Sequence, residues 1–148
     1  MNANELEQLW VEFTDHTGLN EKLPVSRVNE EHYRLDEMPS FAYGVSVHDV
    51  VKATNNEQGI LQFVELVEKS GNRTVRFLLS RFSIESDEAQ TILAYVTEKG
   101  CHYSNLQPNV VSILVPQHVD LEQVTDYLRQ AQVWWEHADP TWDDLFKS

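Results

Sequence analysis

Apolar residues in the first 72 positions fall in short β-branched or alternating runs, whereas beyond Asn72 such runs are interleaved with stretches of helical period. In the first region, Leu6, Leu9, Trp10, Val11 and Phe13 suit a short helix and a strand equally. Residues 23–28 carry Pro24 and read as an edge strand or an extended segment, because proline cannot donate to a ladder. Residues 31–35 and 41–44 follow as short segments around Met38-Pro39. The clearest hairpin joins residues 45–53 to residues 60–67 through the polar turn 54–59, which ends in Gly59. In its second arm Leu61, Phe63 and Val67 fall on one face and Ile60, Val64 and Leu66 on the other, predicting a strand buried on both sides for part of its length. Ser70-Gly71-Asn72 breaks the pattern and sets a subdomain boundary.

Past that boundary the order of elements is legible. Residues 73–79 read as a strand. Residues 83–99 read as a helix, with Ala89, Ile92, Leu93 and Val96 on one stripe, Asp87 and Glu88 early and Gly100 as the stop. Residues 101–106 and the β-branched run 110–115 form two further strands. Asp120 opens a second helix through 130, with Gln123 at capping-box spacing and Leu121, Val124, Leu128 and Ala131 as its apolar stripe. Residues 133–136 return as a strand. The expected fold is α+β: an antiparallel β-rich unit over residues 1–72, a ferredoxin-like β-α-β-β-α-β sandwich over 73–137, and an acidic, aromatic tail over 138–148.

Charge narrows the possible partners. The 148 residues carry 11 Lys and Arg against 24 Asp and Glu, a formal net charge of -13. Phosphate-backbone binding depends on cations, so nucleic acid is a poor direct partner. The acidity is uneven: residues 73–115 are balanced, while both flanks are negative. A single cysteine, Cys101, rules out an internal disulfide and fits a reducing compartment. The chain shows no secretory leader and no apolar run long enough to span a membrane, so a cytoplasmic protein is expected.

Ordered motifs run through most of the chain, from about residue 6 to residue 137. Tyr33-Arg34-Leu35 is followed by Pro39-Ser40-Phe41, then Tyr43-Gly44 with Asp49-Val50-Val51, then Ser70-Gly71 with Thr74-Val75-Arg76, then Gly100-Cys101 and Val115-Pro116. In this order they resemble DUF4265, a bacterial family of unknown function. The chain departs at His48, where that family usually has glycine before the aspartate. The resemblance implies a small soluble bacterial protein and carries over no activity.

Candidate chemistry is sparse. None of the six histidines forms a metal-ligand spacing, and no phosphate loop, nucleophile elbow or Cys-x-x-Cys pair is present, so neither metal nor cofactor is expected. Cys101 and His102 are neighbours on a strand and project oppositely, which makes Cys101 a structural core residue. Arg73, Arg76 and Arg81 form the basic concentration and are expected to pair with the chain's own carboxylates, with anion binding as the alternative. An enzymatic alternative, a small hydrolase or transferase, would place His48, Asp49 and His102 in a cleft between the two units. The stronger signal is aromatic and acidic together: Trp134, Trp135, Glu136, Asp139, Trp142, Asp143, Asp144 and Phe146 combine contact area with negative potential, the alternative being that Trp134 or Trp135 packs in the core and the tail folds back as a lid over apolar surface. The functional expectation is a non-catalytic acidic binding protein with a basic protein partner, such as an immunity protein blocking a bacterial toxin domain. An uncharacterised regulatory scaffold is the other non-enzymatic alternative.

Overall fold

The computed structural model describes residues 8–15, 18–79 and 83–146; His16, Arg81 and the first residues of the 6–13 segment lie outside them. Two sheets make up the α+β fold, a closed five-stranded barrel and a four-stranded sheet. The barrel comprises β1 (Leu9–Thr14), β2 (Asn20–Arg27), β3 (His32–Leu35), β4 (Val50–Asn55) and β5 (Leu61–Glu68). Neighbours are antiparallel except at the seam, where β1 meets β5 in parallel through Glu12 and Gln62. Closure removes free edges, and the inward residues Val11, Phe13, Leu23, Val25, Tyr33, Leu35, Val51 and Ala53 form the barrel core.

In this unit one open reading is settled and two expectations are changed. The ambiguous first segment is a strand. β2 is paired on both sides rather than lying at an edge. Pro24 is tolerated because its backbone faces β3 just past that strand's last pair, Val25 with Leu35; its carbonyl accepts from Asp36, and the missing N–H falls beyond the ladder. β5 is not buried on both sides. Register shifts opposite β4 leave Val64 and Val67 as extra residues, and both are exposed. Each bulge reverses side-chain parity, which turns Leu66 toward the core beside Leu61 and Phe63.

The second sheet is formed by β6 (Arg73–Leu78), β7 (His102–Gln107), β8 (Val110–Val115) and β9 (Trp135–Asp139), in the antiparallel order β7-β8-β6-β9. Helices α1 (Asp87–Glu98) and α2 (Leu121–Gln130) both pack on one face. Ser86 caps α1 by accepting from Ala89, and Asp120 caps α2 by accepting from Glu122. The expected stripe of α1 is buried in full, against Val75, Phe77, Val111, Ile113 and Val115. Tyr95 and Tyr127 stack at 3.7 Å where the helices meet. β9 starts two residues later than expected and runs to Asp139, because Gln132 turns the chain at positive φ and β6 offers partners as far as Thr74. The tail is ordered through α3 (Trp142–Phe146), a single short turn.

The opposite face of this sheet meets the barrel through the β3–β4 loop, so the strand expected from residue 45 begins only at Val50. Glu21 of β2 gathers the loop by accepting from the backbone N–H groups of Ser40, Phe41 and Ala42 at 2.6–2.9 Å. From the sheet, Arg76 donates to the carbonyls of Pro39 and Ala42, and Ser112 donates to Pro39. The break at Ser70-Gly71-Asn72 is a turn at this joint, with Gly71 at φ +95, a conformation that disfavours side chains.

Candidate functional site

β9 and α3 together build an open aromatic cleft of about 540 Å³, lined by Tyr43, Arg129, Trp135, Glu136, His137, Trp142 and Phe146. Alternation along β9 turns Trp135 and His137 to the helix side of the sheet. α3 then folds back so that Phe146 lies 5.9 Å from His137 and 5.1 Å from Trp142, ring centre to ring centre. Trp135 meets His137 edge-on at 5.0 Å, and the Arg129 guanidinium lies over Trp135 at 5.6 Å. Trp142 and Phe146 remain 60% and 57% exposed, unusual for rings of this size.

Of the eight residues singled out in the sequence, Trp135, Glu136, Trp142 and Phe146 converge on this cleft. Asp143 and Asp144 sit on α3 beside it, both exposed. Asp144 accepts from the Thr141 N–H, and these Thr141 hydrogen bonds hold its carboxyl below the usual range. Trp134, though 68% exposed, precedes β9 on the opposite parity and does not line the cleft. Asp139 offers no charge to a partner: it is buried, as described below.

Glu136 is already engaged. It accepts from Arg76 Nε at 3.2 Å and from the Tyr43 hydroxyl at 2.8 Å, and Arg76 stacks over the Tyr43 ring at 4.9 Å. Burial, then the hydrogen bond to Glu136, raises the Tyr43 hydroxyl, so it stays protonated and donates at neutral pH. Burial likewise lowers Arg76 from its ordinary value, opposed by the charge of Glu136. Sequence reasoning missed Tyr43, Arg129 and His137. His137 was within reach, since one more turn of alternation from Trp135 places it on the same face.

The residues of the enzymatic alternative do not form a common cleft. Asp49 and Asp139 are buried at the joint, where Lys69 donates to both carboxylates, at 3.0 Å to Asp49. Asp49 also accepts from the N–H groups of Ser46 and Ser70. Ser46 gives its only hydroxyl proton to Asp139 at 2.6 Å, so Thr74 is the donor in the 2.7 Å contact between their hydroxyls. His48 is exposed next to Asp49, and His102 is exposed on β7, at the edge of the sheet opposite β9. Three strand spacings, about 14 Å, separate those edges. Cys101 is buried, and desolvation pushes its thiol up to about 11. Of the three arginines, Arg76 pairs with Glu136, while Arg73 donates to the carbonyls of Pro116 and Val119.

Residues 21–137 match the model of DUF4265, a domain of unknown function. The chain belongs to the DUF4265 family. Of the DUF4265 motif residues, Tyr43, Thr74 and Arg76 bond across the joint, to Glu136, to Ser46 and to the carbonyls of Pro39 and Ala42, while Asp49 bonds to Ser70 and meets Asp139 through Lys69. His48 stands at φ 71, a left-handed conformation that suits the glycine usual in the family. A solved structure, of a hypothetical protein from Neisseria gonorrhoeae, is similar over 90% of this chain and 94% of that one, with a TM-score of 0.72 at 20% identity. No curated protein matches. Among the described residues, no helix is long and apolar enough to cross a membrane.

Proposed function

We propose that this DUF4265 protein is a non-catalytic binding protein of the cytoplasm that engages a basic protein through the aromatic face of α3 and β9, as an immunity protein engages a bacterial toxin domain. The observation that carries the reading is the exposure of Trp142 and Phe146 on one short helix beside Asp143 and Asp144. Aromatic rings supply contact area in the centre of an interface, and a net charge of -13 accelerates encounter with a cationic surface. Glu136 contributes shape more than charge, since Arg76 and Tyr43 already hold it.

The test uses the product of the open reading frame beside the one encoding this chain. Its expression alone should arrest growth, co-expression of this chain should relieve the arrest, and calorimetry should give a nanomolar Kd that weakens at least tenfold between low and physiological salt. Trp142→Ala and Phe146→Ala should each weaken binding by about 2 kcal/mol, and Asp143→Asn should mainly slow association. An acidic or harmless neighbour, or affinity unmoved by all three changes, overturns the reading.

A further inference from the structure

A second groove, of about 730 Å³, opens on the other side of His137, between the start of β6, the N-terminal half of α2 and α3. Two buried side-chain atoms among the described residues have no hydrogen-bond partner, Nε of Arg73 and Nδ1 of His137, and both residues line this groove. They stand on adjacent strands: His137 pairs with Val75, two residues along β6 from Arg73, and alternation puts all three on the helix side. One terminal nitrogen of Arg73, Nη2, donates to the carbonyls of Pro116 and Val119, which hold the guanidinium in place. Among the described residues no carboxylate lies at ion-pair distance from Arg73, in a chain with more than two acids for every base. His137 itself is buried.

We propose that this groove binds a small monocarboxylate with an apolar body, the carboxylate accepting from Arg73 Nε and His137 Nδ1. An acceptor there would satisfy both orphaned nitrogens and give the Arg73 guanidinium a counter-ion. A single negative charge is what the site supports. Burial, then the charge of Arg129, holds His137 below the ordinary histidine value, so it stays neutral at pH 7 and adds no second cation. Arg129 on the same wall is paired with Asp126 at 2.6 Å, Asp120 and Glu122 repel a dianion, and Leu121, Leu145 and Phe146 supply the apolar surface for the body. The groove's size falls within the range of small-molecule sites. The proposal does not rest on the protein-binding reading: His137 and Phe146 line both the groove and the aromatic cleft, but Arg73, which supplies the charge, lies outside the cleft.

The test follows the arginine Nε–Hε and histidine ring signals of the full chain by NMR during titration with sodium 3-phenylpropanoate. 3-Phenylpropylamine and inorganic phosphate serve as comparators. The carboxylate should move the Arg73 and His137 signals saturably, whereas the amine and phosphate should bind at least tenfold more weakly. Arg73→Lys keeps the charge but removes Nε, and should weaken carboxylate binding at least tenfold with the backbone spectrum unchanged; should it unfold, His137→Asn, expected to weaken binding at least threefold, carries the comparison. Absence of saturation, equal or tighter binding of either comparator, or affinity unaltered in the folded variants overturns the proposal.

Discussion

Strand β6 is buried on both faces by different means. Toward the helices it presents Val75 and Phe77, 0% exposed among aliphatic side chains; toward the barrel it presents Thr74 and Arg76, 1% and 2% exposed and bonded to hydroxyl, carbonyl and carboxylate oxygens. Equal burial therefore does not mean equal physics. The helix face gains from removing apolar area from water and tolerates changes of shape. The barrel face must satisfy each polar group individually, and a missing partner leaves a desolvated charge.

The largest effect expected on this contrast comes from Phe77→Ala, which opens a cavity under both helices and should lower unfolding free energy by about 4 kcal/mol in urea titrations. A loss below about 1 kcal/mol would show that the helix face repacks freely. Arg76→Met keeps volume and removes the charge and donors, leaving the Ala42 carbonyl without its donor and the Pro39 carbonyl with Ser112 alone; a loss of about 3 kcal/mol is expected. Arg76→Lys should recover less than half of that, because one ammonium cannot reach the two carbonyls and Glu136 in the same planar geometry. Full rescue by lysine would mean that charge alone, and not the fork of donors, joins the units.

The smallest effect tests the polar exception on the helix side. His137 has a folded-state value held below 6.5, so protons bind the unfolded chain more readily than the folded one. Its stability contribution is unchanged above about pH 7.5 and is lost as pH falls through the unfolded value of about 6.5 toward the lower folded one. The wild-type midpoint in urea should accordingly drop between pH 7.5 and 5 by more than that of His137→Asn. Parallel profiles would show that His137 is not held neutral by its surroundings.

The same division explains what could be read in advance. The α1 stripe, the capping aspartate of α2, the stop at Gly100 and the β-α-β-β-α-β order are local or periodic properties, and each appears where the pattern puts it, whereas α1 starts later than residue 83 because Ser86 takes the cap. The barrel was read as an antiparallel β-rich unit with one hairpin and without its closure, because the closing pair, Glu12 with Gln62, joins residues fifty positions apart through backbone groups that every residue carries. Bulges at Val64 and Val67 were hidden for a related reason: a register shift depends on the partner strand, and both residues look like core residues in isolation. At the candidate site, the aromatic and acidic content of the last residues was visible, and so was the pairing of an arginine with the chain's own carboxylates.

The sequence by itself determined the class of fold, the composition of the helix-covered core and the acidic aromatic character of the C-terminal segment, since hydrophobic burial and helix capping depend on residue type and short spacing. Only the tertiary structure decided which aromatics share a surface, that Asp139 is a buried joint residue rather than part of a docking face, and that Arg73 and His137 stand together with unmatched nitrogens. Those outcomes rest on directional hydrogen bonds and on strand register. Both are set by partners distant along the chain, and a one-residue change in register moves a side chain to the opposite face of a sheet.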